Sequence, residues 1–280
     1  MTGTLYVVAT PIGNLGDLSS RAAQTLSKVQ IIACEDTRRT GTLLSLLDLQ
    51  RPESQRLIAC HEHNESAVVP ELVQQLAQGT DVALVSDAGT PLLNDPGFAL
   101  LRACWDQAIA VSPVPGAAAP LALLSVCPLP ATPFCFAGFL PARSARRRTE
   151  LVRLATLPAA LVLFESPHRI ADCLADLGAL LPERRLFVGR EVTKAYESFY
   201  CGTAAHILEQ LLTQDAVRGE FVLLIEAPVA QSSVLTAQEA KLLRLLATEV
   251  GPSKAAKLMA QVTDMKRSEL YDLLQAQSSS

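Results

Sequence analysis

The segment "LYVVATPIGNLGDLSSRA", residues 5–22, joins an apolar run to a helical pattern through a loop with two glycines, a proline and an aspartate. Glycine has no Cβ and tolerates positive φ, so Gly13 and Gly16 permit a turn whose backbone comes close to a ligand. A strand followed by a glycine loop and a helix commonly forms a small-molecule site. The glycine spacing matches neither the dinucleotide-binding nor the P-loop fingerprint. Two interpretations of this loop therefore stay open, a ligand site and a plain turn.

Short apolar runs and helical patterns alternate from this loop through the first half of the chain. The predicted strands span residues 5–9, 31–34, 57–60, 82–86 and 110–114, and the predicted helices span 19–29, 40–49, 65–78 and 98–107. This order predicts an α/β fold with a parallel sheet and right-handed crossovers. Ligands of such sheets bind at the carboxyl ends of the strands. Because a polar or glycine-rich segment follows each run, we expect a site at that edge.

A proline-rich segment at 125–133 interrupts the alternation and predicts a domain boundary. We predict an N-terminal α/β domain at 1–124, a second α+β domain at 125–230 and a helical tail, similar to a helix-turn-helix, at 231–280. In the second domain, strands are predicted at 134–139, 161–165, 186–190, 198–202 and 221–226, and helices at 144–155, 167–180 and 203–212.

Composition and charge restrict the function classes. Of the 280 residues, 49% are hydrophobic and 19% are charged, which is typical of a globular α/β protein with buried strands. A net charge of −4 gives no overall attraction to nucleic acid or anionic membranes, so RNA binding needs a local basic patch. The seven cysteines form no C-x-x-C pair, which predicts a reducing compartment without a disulfide framework or a zinc site. Because we find no signal peptide or apolar span in the sequence, we expect a cytoplasmic protein.

Six motifs occur in order along the chain, namely "ATPIGNLGDLSSRA", "CEDTR", "LVSDAGTPLLNDPGF", "VPGAAA", "FESPHR" and "REVTKAYE". Together they resemble the ribosomal RNA small subunit methyltransferase I family, which belongs to the tetrapyrrole-methylase-like enzymes that use S-adenosylmethionine. The resemblance extends over residues 4–228, and the helical tail also fits. It implies a two-domain tetrapyrrole-methylase-like (class III) fold with S-adenosylmethionine in the cleft between the domains. It also implies a homodimer that 2′-O-methylates a decoding-site cytidine in 16S ribosomal RNA of the small ribosomal subunit.

The resemblance implies that the cofactor contacts loops of the first domain and two segments of the second. The loop at 87–92 would present amides and carbonyls to the methionine part, and Asp87 would accept from its ammonium group. Related methylases usually have Gly-Asp-Pro here, whereas this chain has Gly89-Thr90-Pro91, which removes a carboxylate contact at position 90. Gly116 would leave room for the adenosine, and Ile225 would contact the adenine. The implied cofactor-binding residues are Pro11, Gly13, Asp87, Ala88, Gly89, Thr90, Pro91, Leu92, Pro115, Gly116, Ala117, Ala118, Phe164, Ser166, Ile225 and Ala227.

Methyl transfer to a 2′-hydroxyl raises the question of a base. This hydroxyl is a poor nucleophile at neutral pH, so it needs alignment and is helped by a group that accepts its proton. The resemblance places Glu165, Glu191 and Lys194 on the second domain's side of the cleft, near His168 and Glu197. Lys194 would act as a base if burial or a cationic neighbour lowered its pKa. The sequence does not choose among these candidates.

Two polar segments have competing interpretations. In "SDAGTPLLNDPG", Asp95 and Pro96 are predicted to be the N-cap and the first residue of the following helix. In "CHEHNE", His61 and His63 would either belong to a polar loop that satisfies its own backbone, bind substrate ribose or phosphate, or chelate a metal. We predict no metal site. Arg38, in "CEDTRRT", is a further candidate for substrate binding.

The segment "PARSARRRTELVRLA", residues 141–155, has a local net charge of +4 in a chain whose total is −4. Arginine carries a permanent charge, and its guanidinium matches phosphate oxygens. Arg143, Arg146, Arg147 and Arg148 are therefore predicted to bind RNA phosphates. The alternative is a solvated helix face.

The tail pattern predicts three short helices. Thr236 and Glu239 would form a capping box at the first, Gly251-Pro252 would end it, and Ser253 would cap the second. The predicted apolar stripes comprise Leu242, Leu243, Leu245, Leu246, Leu270, Leu273 and Leu274.

Lys266 and Arg267 open the third predicted tail helix, where a recognition helix presents its first turn to phosphates. The alternative is an appendage for packing or dimer support. Two other functions stay open for the whole chain. One is a methyltransferase of the same superfamily with a tetrapyrrole or protein substrate, and the other is a non-catalytic ribosome-binding factor.

Overall fold

The computed structural model of the chain describes residues 2–228, 235, 237–263 and 265–278. The chain forms two compact units, Met1–Pro228 and Val229–Ser280. The elements of the first unit are, in chain order, β1 (Thr4–Val8), α1 (Ser20–Lys28), β2 (Ile31–Cys34), α2 (Thr37–Leu46), β3 (Arg56–Ala59), α3 (Glu65–Ala77), β4 (Val82–Val85), α4 (Phe98–Asp106), β5 (Ala110–Val114), α5 (Ala119–Ser125), β6 (Phe134–Phe139), α6 (Ser144–Leu154), β7 (Ala160–Glu165), α7 (Ile170–Leu180), β8 (Arg185–Arg190), β9 (Ser198–Thr203), α8 (Ala204–Thr213) and β10 (Phe221–Ile225).

The predicted N-terminal parallel sheet is confirmed, with strand order β3-β2-β4-β1-β5. Every neighbouring pair in it is parallel. β2 and β4 are buried at every residue, which explains their continuously apolar sequences. Leu26 of α1 and Leu44 of α2 pack on one face of the sheet, while Leu76 of α3 and Leu100 of α4 pack on the other. The carboxyl ends of all five strands therefore lie at one edge.

The second sheet is mixed, as predicted, with strand order β6-β7-β10-β8-β9. β6 and β7 are parallel, and the other neighbouring pairs are antiparallel. α6, α7 and α8 cover one face through Leu151, Leu177 and Ile207, and α5 packs on the other through Leu123. The domain boundary predicted after residue 124 falls within α5 and stays a prediction, because both sheets belong to the same compact unit.

The start of α4 differs from the prediction. Gly97 occupies the N-cap of α4 with φ 117°, and the helix begins at Phe98. The prediction that Asp95 caps this helix and that Pro96 is its first residue is therefore wrong. The backbone N–H of Gly97 donates to Glu65 Oε1 of α3 at 2.5 Å, so the end of this loop is fixed by a neighbouring helix. The Asp95 carboxyl is free of a capping role.

The second unit contains α9 (Ala237–Val250), α10 (Pro252–Met259) and α11 (Arg267–Ser278). Its core comprises Leu243, Ala255, Ala256, Met259, Met265, Leu270 and Leu274. The predicted stripes are wrong for Leu242, Leu245 and Leu273, which are exposed because each lies beside the buried stripe of its helix.

The capping of the tail helices also differs in part from the prediction. Gly251 ends α9 as expected, but it is also the N-cap of α10, with φ 81°. Ser253 is therefore inside α10, and the prediction that it caps this helix is wrong. The capping box of Thr236 lies outside the described residues. None of the helices in the described ranges has the length and apolarity needed to cross a bilayer.

Candidate active site

The loops that follow the strands of the first sheet are hydrogen-bonded to one another. Thr10, after β1, exchanges backbone hydrogen bonds of 2.8 and 3.1 Å with Gly89, after β4. Thr90 Oγ1 donates to the Ala117 carbonyl, after β5, at 3.0 Å. Thr90, where related methylases would have an aspartate, thus joins two predicted cofactor loops. These bonds assemble the loops at the carboxyl edge of the sheet.

Asp87 joins the loops that follow β2 and β4. Its Oδ1 accepts the Asp36 N–H at 3.2 Å, and its Oδ2 lies 3.1 Å from a guanidinium nitrogen of Arg39. Carboxylate oxygens have further lone pairs, so these contacts leave acceptor capacity on Asp87. A contact between Asp87 and the cofactor ammonium stays a prediction.

The loop between β4 and α4 has a strained backbone. Leu92 and Asn94 have φ values of 73° and 70°, in the left-handed region that non-glycine residues rarely adopt. Such strain costs about 1–3 kcal/mol per residue and persists only where the surroundings impose it. Gly138 of β6 lies against Asn94, because a Cβ at Gly138 would overlap the Asn94 side chain. The second sheet thus helps to hold this loop.

A cavity of about 290 Å³ lies between the loops of the first sheet and the second sheet. Its walls are largely apolar, and three carboxyl groups face it. The lining residues are Ile12, Ala88, Leu93, Asn94, Asp95, Ala119, Phe139, Phe164, Glu165, Ser166, Pro167, Val192, Glu220, Phe221 and Val222.

Four of the predicted site residues line this cavity, namely Ala88, Phe164, Glu165 and Ser166. Six of the other 13 predicted cofactor residues are immediate chain neighbours of lining residues, namely Pro11, Gly13, Asp87, Gly89, Leu92 and Ala118. The apolar walls and the carboxyl groups of Asp95 and Glu220 were not predicted as parts of a site, and apolar residues of strands and loops carry no distinct signal in sequence.

Ile225, which was predicted to contact adenine, does not line this cavity. Ile225 is packed in the core beneath α6, α7 and α8. β10 runs antiparallel to β7, so its first residues, Phe221 and Val222, lie beside the end of β7 and line the cavity. At about 3.3 Å per residue, Ile225 is about 10 Å further along the strand, and Ala227 lies beyond it. Ala227 does not line the cavity either, and its contact with the cofactor stays a prediction.

Both interpretations of the opening glycine loop hold in part. Ile12 lines the cavity, so the loop borders a ligand-sized space. Gly13, however, is required by packing, because a Cβ there would overlap Cγ of Lys194. At Gly116, an added Cβ would come within 3.0 Å of the Ala9 Cβ. Glycine at these two positions lets chain segments approach each other at the edge of the cavity.

Lys194 is an ion-paired residue rather than a base. Its Nζ lies 3.0 Å from Glu191 Oε1 and 2.9 Å from Glu220 Oε2. Burial alone would lower the pKa of Lys194, but the two carboxylates raise it above its usual value overall. For Glu191, burial acts to raise the pKa, yet the Glu220 N–H and Lys194 lower it overall. The prediction that Lys194 acts as a base is therefore wrong, and Glu191 is its ionised partner.

Glu165 is the most buried carboxyl group of the cavity, with 3% of the residue exposed. Its Oε1 accepts the Ser166 N–H at 2.8 Å and lies 2.9 Å from Arg169 Nε. Its Oε2 accepts from Arg169 Nη2 at 3.0 Å. Both oxygens are thus held by fixed donors, which orients this carboxylate at the end of β7.

Asp95 was predicted only as a helix cap, but it is one of the residues that line the cavity. Burial is the main cause that raises its pKa to about 6; a hydrogen bond with Ser86 opposes the rise, and the negative charges of Glu35 and Asp87 contribute to it. No ion pair involves Asp95 within the described part of the chain. The misleading signal was Pro96, which made Asp95 resemble a helix cap.

The predicted arginine cluster on α6 divides into two classes. Arg147 is only 2% exposed, and its Nη2 lies 2.7 Å from Asp176 Oδ2 of α7. Ser144 Oγ donates to the same carboxylate at 2.9 Å, so the group is a buried network. The prediction that Arg147 binds RNA is wrong, because it cannot reach a phosphate from this position. We call the remaining exposed residues, Arg143, Arg146 and Arg148, the arginine face.

The other predicted substrate residues lie away from the cavity lining. Arg38 is exposed and lies 2.8 Å from Asp36, whose pKa it holds at about 2 through hydrogen bonds. The His61 and His63 rings meet edge to face with centroids 6.1 Å apart. No group of potential metal ligands is found among the described residues. The roles of these side chains in substrate binding stay predictions.

The predicted basic residues of the tail begin α11. The Lys266 N–H donates to Glu269 Oε2 at 2.9 Å, and Arg267 Nη2 donates to Ser253 Oγ of α10 at 2.9 Å. The Lys266 and Arg267 residues are both exposed. Their contact with RNA stays a prediction.

Comparison with known proteins identifies the family. The family model described as tetrapyrrole (corrin/porphyrin) methylases matches residues 4–208, and the model described as RsmI C-terminal HTH domain matches residues 233–278. The chain is 44% identical to ribosomal RNA small subunit methyltransferase I of Xylella fastidiosa (strain Temecula1) over 96% of this chain and 98% of that protein. It is 42% identical to the protein of the same name from Escherichia coli O157:H7, over 96% and 93%.

A solved structure shares the fold at low sequence identity. The uroporphyrin-III C-methyl transferase of Thermus thermophilus, complexed with S-adenyl homocysteine, superposes with a TM-score of 0.53 at 18% identity, covering 79% of this chain and 97% of that one. The fold, the matched family model and the near full-length relatives agree. The chain therefore belongs to the tetrapyrrole (corrin/porphyrin) methylase family and, within it, to the ribosomal RNA small subunit methyltransferase I family.

Proposed function

We propose that the chain transfers the methyl group of S-adenosylmethionine to the ribose 2′-hydroxyl of a decoding-site cytidine in 16S ribosomal RNA. As a member of its family, the chain is an S-adenosylmethionine-dependent methyltransferase that acts on ribosomal RNA. The 2′-hydroxyl, the cytidine and the small subunit as the assembled partner belong to the proposal. The observation that carries it is the cavity of about 290 Å³ at the carboxyl edge of the first sheet.

The chemistry of this cavity fits S-adenosylmethionine. Phe139, Phe164 and Val222 offer an apolar and aromatic wall to adenine. Glu165 and Glu220, on the second sheet's side of the cavity, favour a ligand with positive charge. S-adenosylmethionine supplies the activated methyl group, and the chain binds and orients it. We assign its binding to Pro11, Ile12, Gly13, Asp87, Ala88, Gly89, Thr90, Pro91, Leu92, Pro115, Gly116, Ala117, Ala118, Phe164, Ser166 and Val222.

The main contribution of the chain to the rate is alignment. A ribose hydroxyl must point at the methyl carbon from the side opposite the leaving sulfur, and fixing two reactants in this way supplies a large part of a bimolecular barrier. The strained loop at Leu92 and Asn94 and the fixed Glu165 give the cavity rigid walls for this purpose. Apolar lining residues exclude water from the reacting groups.

The arginine face is the proposed phosphate contact. Its three residues are exposed, Arg143 at the N-cap of α6 and Arg146 and Arg148 within the helix, while the buried pair of Arg147 and Asp176 anchors this helix to α7. The chain as a whole carries a charge of −4, so a local cationic surface is needed to attract RNA. A tetrapyrrole substrate would not require such a surface. The reaction would take place in the cytoplasm, where small ribosomal subunits are found.

We assign the contact of the proposed homodimer to an exposed face of α4. Phe98 and Trp105 are 67% and 71% exposed, although both are large aromatic residues. They are seven residues apart, about two helical turns, and therefore lie on the same side of the helix. Adjacent exposed aromatic side chains of this kind commonly mark a protein contact. The helical tail, with Lys266 and Arg267, is proposed as a second contact to the RNA.

The experiment that tests the proposal uses small subunits from cells that lack this protein. Purified subunits are incubated with the enzyme and radiolabelled S-adenosylmethionine, and the ribosomal RNA is digested to nucleosides. We expect label in a ribose-methylated cytidine. Label in a base, label in protein, or no transfer would contradict the proposal.

A further inference from the structure

Three carboxyl groups line the cavity, and two of them are engaged by fixed cations. Glu165 is bound by Arg169 through both oxygens. Glu220 Oε2 lies 2.9 Å from Lys194 Nζ. Both groups already have a cationic partner in the chain, so a ribose hydroxyl would have to compete with that partner for the carboxylate.

Asp95 is the third carboxyl group, and it lacks a cationic partner within the described residues. It follows the left-handed residue Asn94, whose side chain lies against Gly138 of the second sheet. The backbone that carries Asp95 is thus fixed from both sides of the cavity. This fixed backbone keeps Asp95 among the cavity-lining residues.

From this arrangement we infer that the Asp95 carboxylate accepts the proton of the attacking ribose hydroxyl. In the step, the oxygen–hydrogen bond breaks and the proton goes to a carboxylate oxygen of Asp95. The hydroxyl oxygen forms the new bond to the methyl carbon, and the electron pair of the breaking carbon–sulfur bond stays on sulfur. The inference rests on the proposed function, since it assumes transfer to a hydroxyl.

The electrostatic surroundings of Asp95 support this role. The pKa of Asp95 is raised to about 6, chiefly by burial and also by the negative charges of Glu35 and Asp87, although a hydrogen bond with Ser86 acts to lower it. Glu165 and Glu220 face the same cavity from the second sheet. A base is most effective when its pKa is close to the working pH, because it is then both ionised and able to bind a proton.

The test compares Asp95→Asn with Asp106→Asn, a matched change at an exposed aspartate at the end of α4. Single-turnover methylation of small subunits is measured from pH 5 to pH 9, and the affinity for S-adenosylmethionine is measured by calorimetry. We expect the wild-type rate to fall below about pH 6, and Asp95→Asn to be slower by about 10²–10⁴-fold with no such fall. Cofactor affinity should be unchanged in both variants, and Asp106→Asn should behave as the wild type.

Any of the following results would overturn the inference. A loss of cofactor affinity of about tenfold or more in Asp95→Asn, with a normal rate at saturating cofactor, would make Asp95 a cofactor ligand. A normal rate and a normal pH profile in this variant would exclude any proton transfer to Asp95, while an active wild type would leave the proposed function intact. If the wild type itself methylated no ribose, the proposed function would fail together with the inference. Unfolding of each variant by urea shows whether a slow rate reflects loss of structure.

Discussion

The partly buried carboxyl group of Asp95 should reduce the stability of the fold at neutral pH, and Asp95→Asn should remove this cost. The pKa of Asp95 rises from its ordinary value of 3.8 to about 6 in the folded chain, chiefly through burial. Folding therefore favours the protonated form of Asp95 over the ionised form. Its favourable contribution is fully present below pH 3.8 and is lost as the pH rises through about 6.

The size of the effect follows from the two pKa values. At about 1.4 kcal/mol per pH unit, the difference between 3.8 and about 6 corresponds to about 3 kcal/mol. Asp95 is partly open to solvent, and screening reduces this figure to about 1–2 kcal/mol. Asparagine has nearly the same shape and does not ionise. Asp95→Asn should thus be more stable than the wild type by about 1–2 kcal/mol at pH 8, and the difference should vanish near pH 4.

Urea unfolding at pH 4 and pH 8 measures this difference. Trp105 of α4 is the single tryptophan of the chain, so its fluorescence reports on the unit that contains Asp95. Asp106→Asn serves as the control and should change the free energy of unfolding at neither pH. If Asp95→Asn were less stable than the wild type at pH 8, the carboxylate would have a favourable partner and the reasoning about burial would be refuted.

Three further predictions concern RNA, the cofactor and the tail. Alanine at all three positions of the arginine face should lower the slope of log affinity for ribosomal RNA against log salt by about 2. Arg147→Ala should leave this slope unchanged but cost about 3–5 kcal/mol of stability. Equal slopes for both variants would contradict the assignment. Val222→Trp should fill the cavity and abolish binding of S-adenosylmethionine in calorimetry. Ile225→Val should leave this binding unchanged and cost only about 1 kcal/mol of stability. If Ile225→Val weakened binding and Val222→Trp did not, the adenine contact would belong to Ile225. Deletion of 229–280 should leave cofactor binding intact and weaken binding to small subunits, and unchanged binding would remove the tail from the RNA contact.

The strands could be predicted because their apolar runs are short and bounded by turn residues. β2 and β5 begin and end at the predicted residues, since a strand that is buried or bounded by proline and glycine has clear limits in sequence. The sequence carries no such signal for the direction of β10 relative to β7. The apolar run is the same in either direction, and only its pairing with β7 decides that Val222, rather than Ile225, reaches the cavity.

Burial of charged residues was harder to predict, because their partners are remote in sequence. Lys194 pairs with Glu220, and Arg147 pairs with Asp176 of another helix. For Arg147 a signal does exist. It lies four residues before Leu151, on the buried stripe of α6, whereas the arginine face lies off that stripe. Periodicity therefore distinguishes the structural arginine from its exposed neighbours, although charge alone does not.

The measurement that tests the central claim most directly is mass mapping of 16S ribosomal RNA from cells with and without this protein. The account predicts that one cytidine of the decoding site carries a ribose methyl group only when the protein is present, and that a variant with the Val222→Trp change fails to restore it. Identical ribosomal RNA from both kinds of cell, or a difference confined to a methylated base, would contradict the account.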